Sequence, residues 1–413
     1  MNVPKLRFKD FTDEWKNKKI KDFLLSHKGG APLKPTDFVK NSGYEVIPKK
    51  AISSGGKLSL DLDAATFCSE SFFKNNSRSV VDDSYLITTL RDLVPSGPSI
   101  GYIVRFKSNK SYLLAQGVYG IKIDNNLEEA FLIHYSNTDK YRVMMQTMMV
   151  GSTQVHIRNS DFFKTSIKVP SLPEQTKIAN FLTAIDEKIT QLAQKHDLLT
   201  QYKKGLMQQI FSQKLRFKDD DGREFPEWEE KLFGEIADIQ RGASPRPITD
   251  KRWFSDKSNI GWVRISDVTK SSKYLNATDQ YLSSEGIEKS RYVPKGHIIM
   301  SICATIGKPI YTNLDVCIHD GFVVFKNFKA NHEFFYYYLQ LTEDNWYQYG
   351  QPGSQVNLNT AIVSNETIFL PCAKEQTKIA NFLTAIDDKI THTQTQLDAV
   401  ELYKKGLLQQ MFV

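Results

Sequence analysis

The sequence predicts an α+β protein built twice: two mixed α/β modules joined by two long paired helices, with an internal pseudo-twofold repeat. Three observations predict it. Residues 174–211 and 375–412 are copies of one stretch, offset by a constant 201 residues without a gap, and 25 of the 38 pairs are identical. That stretch repeats its apolar residues at alternating three- and four-residue steps, the period of a helix with a narrow seam. The residues ahead of each copy break into short β-branched and aromatic runs bounded by Gly, Pro, Asn or Asp, which is how strands read.

The chain opens with KLRFKD at 5–10, and the same hexapeptide recurs at 214–219. Each is followed by Glu-Trp, at Glu14-Trp15 and Glu227-Trp228, with four extra residues in the second copy. The segment leaving the first helix therefore resembles the one that opens the chain, so the N-terminus is expected near the end of the second helix. The repeat sets four segments: a first module over 1–170, a helix over 171–213, a second module over 214–371 and a second helix over 372–413.

In the first module, strands are expected over 44–47, 85–89, 100–106, 117–123 and 166–169, and helices over 128–135 and 139–149. The methionines of the second helix, Met144, Met145, Met148 and Met149, read as packing. In the second module, strands are expected over 261–265, 297–301, 309–312, 322–325 and 367–370. A helix over 333–341 carries five consecutive aromatics, Phe334 to Tyr338. The modules share an outline: Gly43-Tyr44-x-x-Ile47 beside Gly261-Trp262-x-x-Ile265, Gln154-Val155 beside Gln355-Val356, and Pro170 beside Pro371. Between these landmarks they have drifted far apart, which suits one frame carrying two readers of different targets.

The first helix seam runs through Leu182, Ile185, Ile189, Leu192, His196, Leu199, Lys203, Leu206 and Ile210. The second runs through Leu383, Ile386, Ile390, Thr393, Leu397, Val400, Lys404, Leu407 and Met411. A stripe this narrow needs a partner, so the helices are expected to pair; the alternative is that each packs on its own module. The polar seam residues suit register setting or snorkelling. Ser171-x-x-Glu174 fits a capping box with Pro173 in the first turn, and Cys372 breaks it in the second copy. Gly205 and Gly406 put helix continuity near the C-terminal ends in question.

The net charge is +7, and residues 1–50 hold 12 Lys and Arg against 6 Asp and Glu. Arg241, Arg246, Lys251 and Arg252 cluster in a Gly/Pro/Ser-rich loop. No apolar run is long enough for a membrane span, the N-terminus lacks a signal-peptide core, and the four cysteines show no CxxC spacing. A reduced, cytoplasmic protein is expected, with no membrane partner. No P-loop is present: residues 302–308, ICATIGK, lack the leading glycine. Nor is there a GxGxxG, an NPPY- or DPPY-type methyltransferase tetrapeptide, an HExxH, a GxSxG or a Cys/His metal cluster. The expectation is a binding protein with no catalytic residue and no metal.

At this point the chain resembles the specificity (S) subunit of type I restriction–modification systems. The residues that carry the resemblance are the Pro-x-x-x-Glu-Gln helix entries (Pro170 to Gln175, Pro371 to Gln376), the IANFLTAID core, the YKKGL-x-QQ-x-F endings at Tyr202 and Tyr403, and, in the second module, Trp262-x-x-Ile265, Val293-Pro-Lys-Gly296 and Ile306-Gly307-Lys308. The resemblance implies two target-recognition domains, each reading half of a split site in double-stranded DNA. It implies that the two helices pack as an antiparallel coiled coil acting as a spacer. It also implies methyltransferase (modification) subunits, two of them, and motor-nuclease (restriction) subunits as partners. S-adenosylmethionine and ATP/Mg would sit on those partners, with no cofactor here.

On that reading, affinity comes from cations on phosphates and specificity from base edges. Candidates in the first module are Lys28, Lys34, Arg78, Arg91, Arg105 and Gln154. In the second they are Arg241, Arg246, Lys251, Arg252, Gln355 and Asn357, with Trp253 and Asn359 beside them. Amides can read adenine edges, although a turn-stabilising role fits them equally. At ~1.5 Å per residue a 38-residue helix spans roughly 57 Å, so two heads so joined are expected to touch DNA one to two turns apart. The competing reading is a coiled-coil scaffold that organises protein partners without reading bases.

Overall fold

The computed structural model describes residues 3–40, 43–53, 56–60, 65–106, 108–349 and 358–413. The chain forms two compact units, residues 1–193 with 395–413, and residues 194–394. No helix among the described residues is long and apolar enough to cross a membrane.

The first unit contains a four-stranded antiparallel sheet in the order Ile103–Val104, Leu86–Thr89, Val118–Ile123, Leu24–Gly29. A five-stranded sheet runs Phe38–Val39, Thr66–Cys68, Tyr44–Ile47, Tyr112–Leu114, Val80–Val81, with Tyr44–Ile47 parallel to Tyr112–Leu114. Helices Glu129–Ser136 and Asp139–Met148 bury Phe131, Leu132, Tyr141 and Met145 in the main core.

The second unit repeats this plan. One sheet runs Asp238–Arg241, Phe322–Lys326, Ile298–Ser301, Pro309–Thr312, Tyr274–Leu275. The other runs Gln280–Tyr281, Gly261–Val263, Val316–Ile318, Arg291–Val293, with Gly261–Val263 parallel to Val316–Ile318. The aromatic helix, His332–Leu341, buries Phe334, Phe335, Tyr336 and Tyr337.

Each unit is closed by a strand pair that composition hides. Lys16–Lys19, KNKK, is exposed at all four positions, yet pairs antiparallel with Ser166–Val169. Glu229–Leu232 pairs with Thr367–Leu370 in the same way. Neither charged strand has an apolar alternation to betray it; backbone pairing with a distant strand makes it.

The long helices run unbroken over Leu172–Phe211 and Ala373–Met411, 40 and 39 residues. Gly205 and Gly406 do not interrupt them. Residues of both helices enter both units, and in each unit they meet antiparallel. In the first, Lys404 pairs with Asp186, while Phe412, eight residues further on, lies 6.2 Å from Trp15, whose indole donates to Glu174. In the second, Lys203 pairs with Asp387 at 2.6 Å, and Phe211 packs on Phe334, next to Trp228, whose indole donates to Glu375. The two ion pairs are equivalent under the 201-residue repeat. All eighteen seam positions are buried or half-buried. Pairing and packing on a module are not exclusive: Ile178, Ala179 and Leu182 of one helix and Leu407, Leu408, Met411 and Phe412 of the other share the first unit's core.

The Glu-Gln entry has a different role from the expected capping box. Glu174, 1% exposed, accepts from Arg7 at 2.7 and 2.8 Å and from Trp15 at 3.3 Å. Glu375, 0% exposed, accepts from Arg216 at 3.3 and 2.9 Å and from Trp228 at 3.0 Å. A buried carboxylate must be paired, and the KLRFKD arginine and the Glu-Trp tryptophan pair it. The second copy does so with Cys372 in place of Ser171, so a serine cap is dispensable. Gln175 donates to Pro170 O and accepts from Glu128 N; Gln376 donates to Pro371 O and accepts from Asn331 N, tying each module helix to its long helix.

Two expectations are corrected. Ile265 opens a helix, Ile265–Lys270, instead of ending a strand. Strand pairing also moves the shared outline by two residues: Val46 and Ile47 face Leu113 and Leu114 as Trp262 and Val263 face Cys317 and Ile318. A slip of two leaves every side chain on the same face of a strand, so the sequence pattern could not detect it.

Candidate nucleic-acid interface

In each unit a glycine just past an edge strand, Leu24–Gly29 in the first and Asp238–Arg241 in the second, lies on a neighbouring backbone. A Cβ on Gly30 would stand 1.9 Å from Ala115 O, and one on Gly242 2.0 Å from His319 O. Only glycine permits that approach. Beyond it, the chain leaves the sheet as a loop, Ala31 to Lys34 in one unit and Ala243 to Arg246 in the other.

In the second unit this loop borders a hollow of about 580 Å³ lined by Ser244, Arg246, Ile248, Arg264, His319 and Asp320. Asp320 is the anchor. Its carboxylate accepts from Ser244 Oγ at 2.7 Å, which holds it below the usual carboxylate range, and its carbonyl accepts from Arg241 Nε at 2.8 Å. Arg246 is highly exposed, with its guanidinium 3.9 Å from Asp320. Arg264 donates to Gln280 at 2.9 Å. Burial lowers the His319 pKa, favouring a neutral ring that can donate and accept. Arg252 pairs with Asp250 at 3.1 Å and lies over Trp253 at 4.0 Å; Lys251 is exposed on the same turn. The Trp253 indole donates to Pro247 O at 2.9 Å, so this tryptophan pins the loop and is buried.

In the first unit the structure brings Arg91 and Gln154 together at 2.8 Å. Lys49 lies beside them, its pKa lowered by burial and then by Arg91. Lys34 and Arg78 are exposed. Lys28 is engaged locally: its ammonium donates to Val80 O at 2.5 Å and sits 5.0 Å from the Tyr85 ring centre. Arg105 pairs with Glu129 at 2.6 Å, beside Val104, which pairs with Ile87; Arg91 lies four residues beyond that, so Arg105 is not part of the Arg91 group. Gln355 and Asn357 lie outside the described residues. Asn359 caps the helix Thr360–Ser364 through Ile362 N.

Sequence reasoning missed Lys49, Arg264, His319 and Asp320. The first two come just after strand ends and the last two just after a parallel strand, so only sheet topology brings Arg264, His319 and Asp320 to the second unit's loop and Lys49 to Arg91. ICATIGK is no phosphate loop: Lys308 is spent on the carbonyls of Thr269 and Ser271. Among the described residues, no group of three or more His, Cys, Asp or Glu side chains could hold a metal ion.

A family model described as the type I restriction modification DNA specificity domain matches residues 12–201 and again 226–402. The chain belongs to this family. Among specificity proteins, it is 23% identical to the type I restriction enzyme MjaVIII specificity subunit of Methanocaldococcus jannaschii, over 96% of this chain and 91% of the relative. It is 21% identical to a putative MjaX specificity subunit of the same organism, over 98% and 95%. Its fold is similar to the crystal structure of a type I restriction–modification S subunit from M. genitalium, with a TM-score of 0.60 at 15% identity, covering 100% of this chain and 99% of that one. A chain from a structural study of type I complex assembly gives 0.57 at 18%, covering 96% and 97%. As a specificity protein of a type I restriction–modification system, the chain recognises DNA sequence.

Proposed function

We propose that each unit reads one half of a bipartite site in double-stranded DNA, and that the chain itself catalyses nothing. It would dock two methyltransferase subunits, joined by motor-nuclease subunits for cleavage, and leave S-adenosylmethionine and ATP/Mg to them. The observation that carries this reading is the contrast between the units. Sheets, closing strands and buried Arg–Glu–Trp clusters repeat from one to the other. The charged and polar groups beyond the strand ends do not: Lys49, Arg91 and Gln154 gather in one unit, and Arg264, His319 and Asp320 in the other. Two copies of one scaffold with different chemistry suit two different half-sites.

The test replaces residues 15–170 with the corresponding module of another specificity chain, expresses it with the methyltransferase, and maps methylation by long-read sequencing. One half of the methylated site is expected to change and the other to persist. Change in both halves would refute one reader per half-site. The scaffold reading predicts no change in either.

A further inference from the structure

Backbone hydrogen bonds place the two glycine loops in register. Gly30 N donates to Val118 O and Ala31 N to Leu114 O; Gly242 N donates to Phe322 O and Ala243 N to Ile318 O. By this register, Lys34 and Arg246 hold the same place along the chain relative to the glycine. Each stands four residues beyond its constrained glycine, is followed by proline, and is exposed.

The backbone-setting glycines are kept, but the side chains around them differ. Ala115 and Gln116 in the first unit correspond to His319 and Asp320 in the second, and Pro48 corresponds to Arg264. Leu90 N on Gly117 O matches Ile302 N on Gly321 O, so Arg91 corresponds to Cys303. One cation is kept in place while its neighbours change.

We propose that Lys34 and Arg246 are a matched pair of DNA-backbone clamps, one per unit, each binding a phosphodiester without reading sequence, while the residues facing the loop supply the discrimination. This rests on the reading that both units bind DNA. Phosphates are alike at every site, so two readers of different sequences can share a phosphate contact but not a base contact.

The loops are built to hold such a contact still. Ser290 Oγ donates to Ala243 O at 2.7 Å, and Trp253 fixes Pro247. In the first unit Asp37 accepts from Lys34 N at 2.7 Å, and Leu33 packs with Ala31 and Val46. A pre-set backbone reduces the ordering lost on binding. The 3.9 Å separation of Arg246 from Asp320 is beyond hydrogen-bond reach and leaves the guanidinium available.

The experiment uses the full chain with its methyltransferase subunits and measures affinity for its methylated site and for scrambled DNA across a potassium chloride series. Lys34→Ala and Arg246→Ala are each expected to weaken both DNAs by the same factor, roughly eightfold at 0.1 M salt, and to lower the slope of log affinity on log salt by about 0.9. Lys34→Arg and Arg246→Lys should restore binding, with thermal melts unchanged throughout. Arg264→Ala should instead cut the ratio of cognate to scrambled binding. Alanine variants that bind as the wild type does, or that lose only the cognate preference, overturn the clamp. A wild-type complex that shows no preference overturns the DNA reading beneath it.

Discussion

Glu174 and Glu375 hold each unit's entry segment to its long helix, at the cost of burying a charge. Removing the partner leaves that charge unpaired, which is more damaging than never having had the pair. Arg216→Ala should therefore destabilise the second unit by about 3–5 kcal/mol in urea unfolding, and Arg7→Ala the first by a similar amount. Adding Glu375→Gln to Arg216→Ala should recover a substantial part; no recovery would mean that packing, not charge, is lost. His134 supplies a second prediction. It is buried against Thr183 at 3.2 Å and Asp186 at 3.8 Å, with Lys404 on the same carboxylate; burial lowers its pKa to about 4. The ring is neutral in the fold, whereas the unfolded chain protonates near 6.5. The unfolded state thus binds more protons between those values, and stability should fall as pH drops through that window, by about 3 kcal/mol at pH 4. His134→Tyr, which copies the equivalent Tyr337, should flatten that part of the pH–stability profile. The sequence marked KLRFKD and Glu-Gln as repeated motifs, but Arg7 and Glu174 are 167 residues apart, and no spacing rule joins them.

At the scale of elements, the helices were the most legible part. A seam of alternating three- and four-residue steps needs only local geometry, and the buried positions track it through both copies. Their glycines are a reserve of stability. A Cβ at Gly205 or Gly406 meets nothing within 4 Å. Gly205→Ala and Gly406→Ala should each stabilise by about 0.5–1 kcal/mol, read as a rise in melting temperature. A fall would show that the helices bend at these points. The strands were legible where they are buried, as at Pro309–Thr312 and Tyr44–Ile47. They were not where pairing alone makes them, as in KNKK, nor in register, where a two-residue slip preserves the pattern. The candidate site groups were half legible for the same reason: cations in Gly/Pro loops can be seen in a sequence, whereas His319 and Asp320 join them only through a parallel strand pairing.

The whole molecule is an interleaved chain. Leu215 N donates to Gln209 O at 3.0 Å, a contact between neighbours in sequence; its counterpart, Leu6 N on Gln410 O at 2.9 Å, joins opposite ends. The repeat expected this meeting of ends, because the KLRFKD segment that leaves the first long helix also opens the first module. Damage to the last residues therefore falls on the first unit. Ending the chain after Leu402 removes Lys404, Leu407, Leu408, Met411 and Phe412 from the first unit's contacts. Limited proteolysis with mass-spectrometric mapping should then show cleavage rising across residues 15–170 while 228–370 stay protected. The reverse pattern would contradict the interleaving.

That same arrangement sets an order of events on the ribosome. The second unit is one continuous run, 194–394, and can close as soon as it emerges; the first cannot close until 395–413 are made. At roughly 5–20 residues per second, the earlier-made half waits on the order of 10–40 s with Trp15 and Phe131 lacking Phe412. A translation abandoned midway therefore leaves the first unit's apolar core open, a target for a protease.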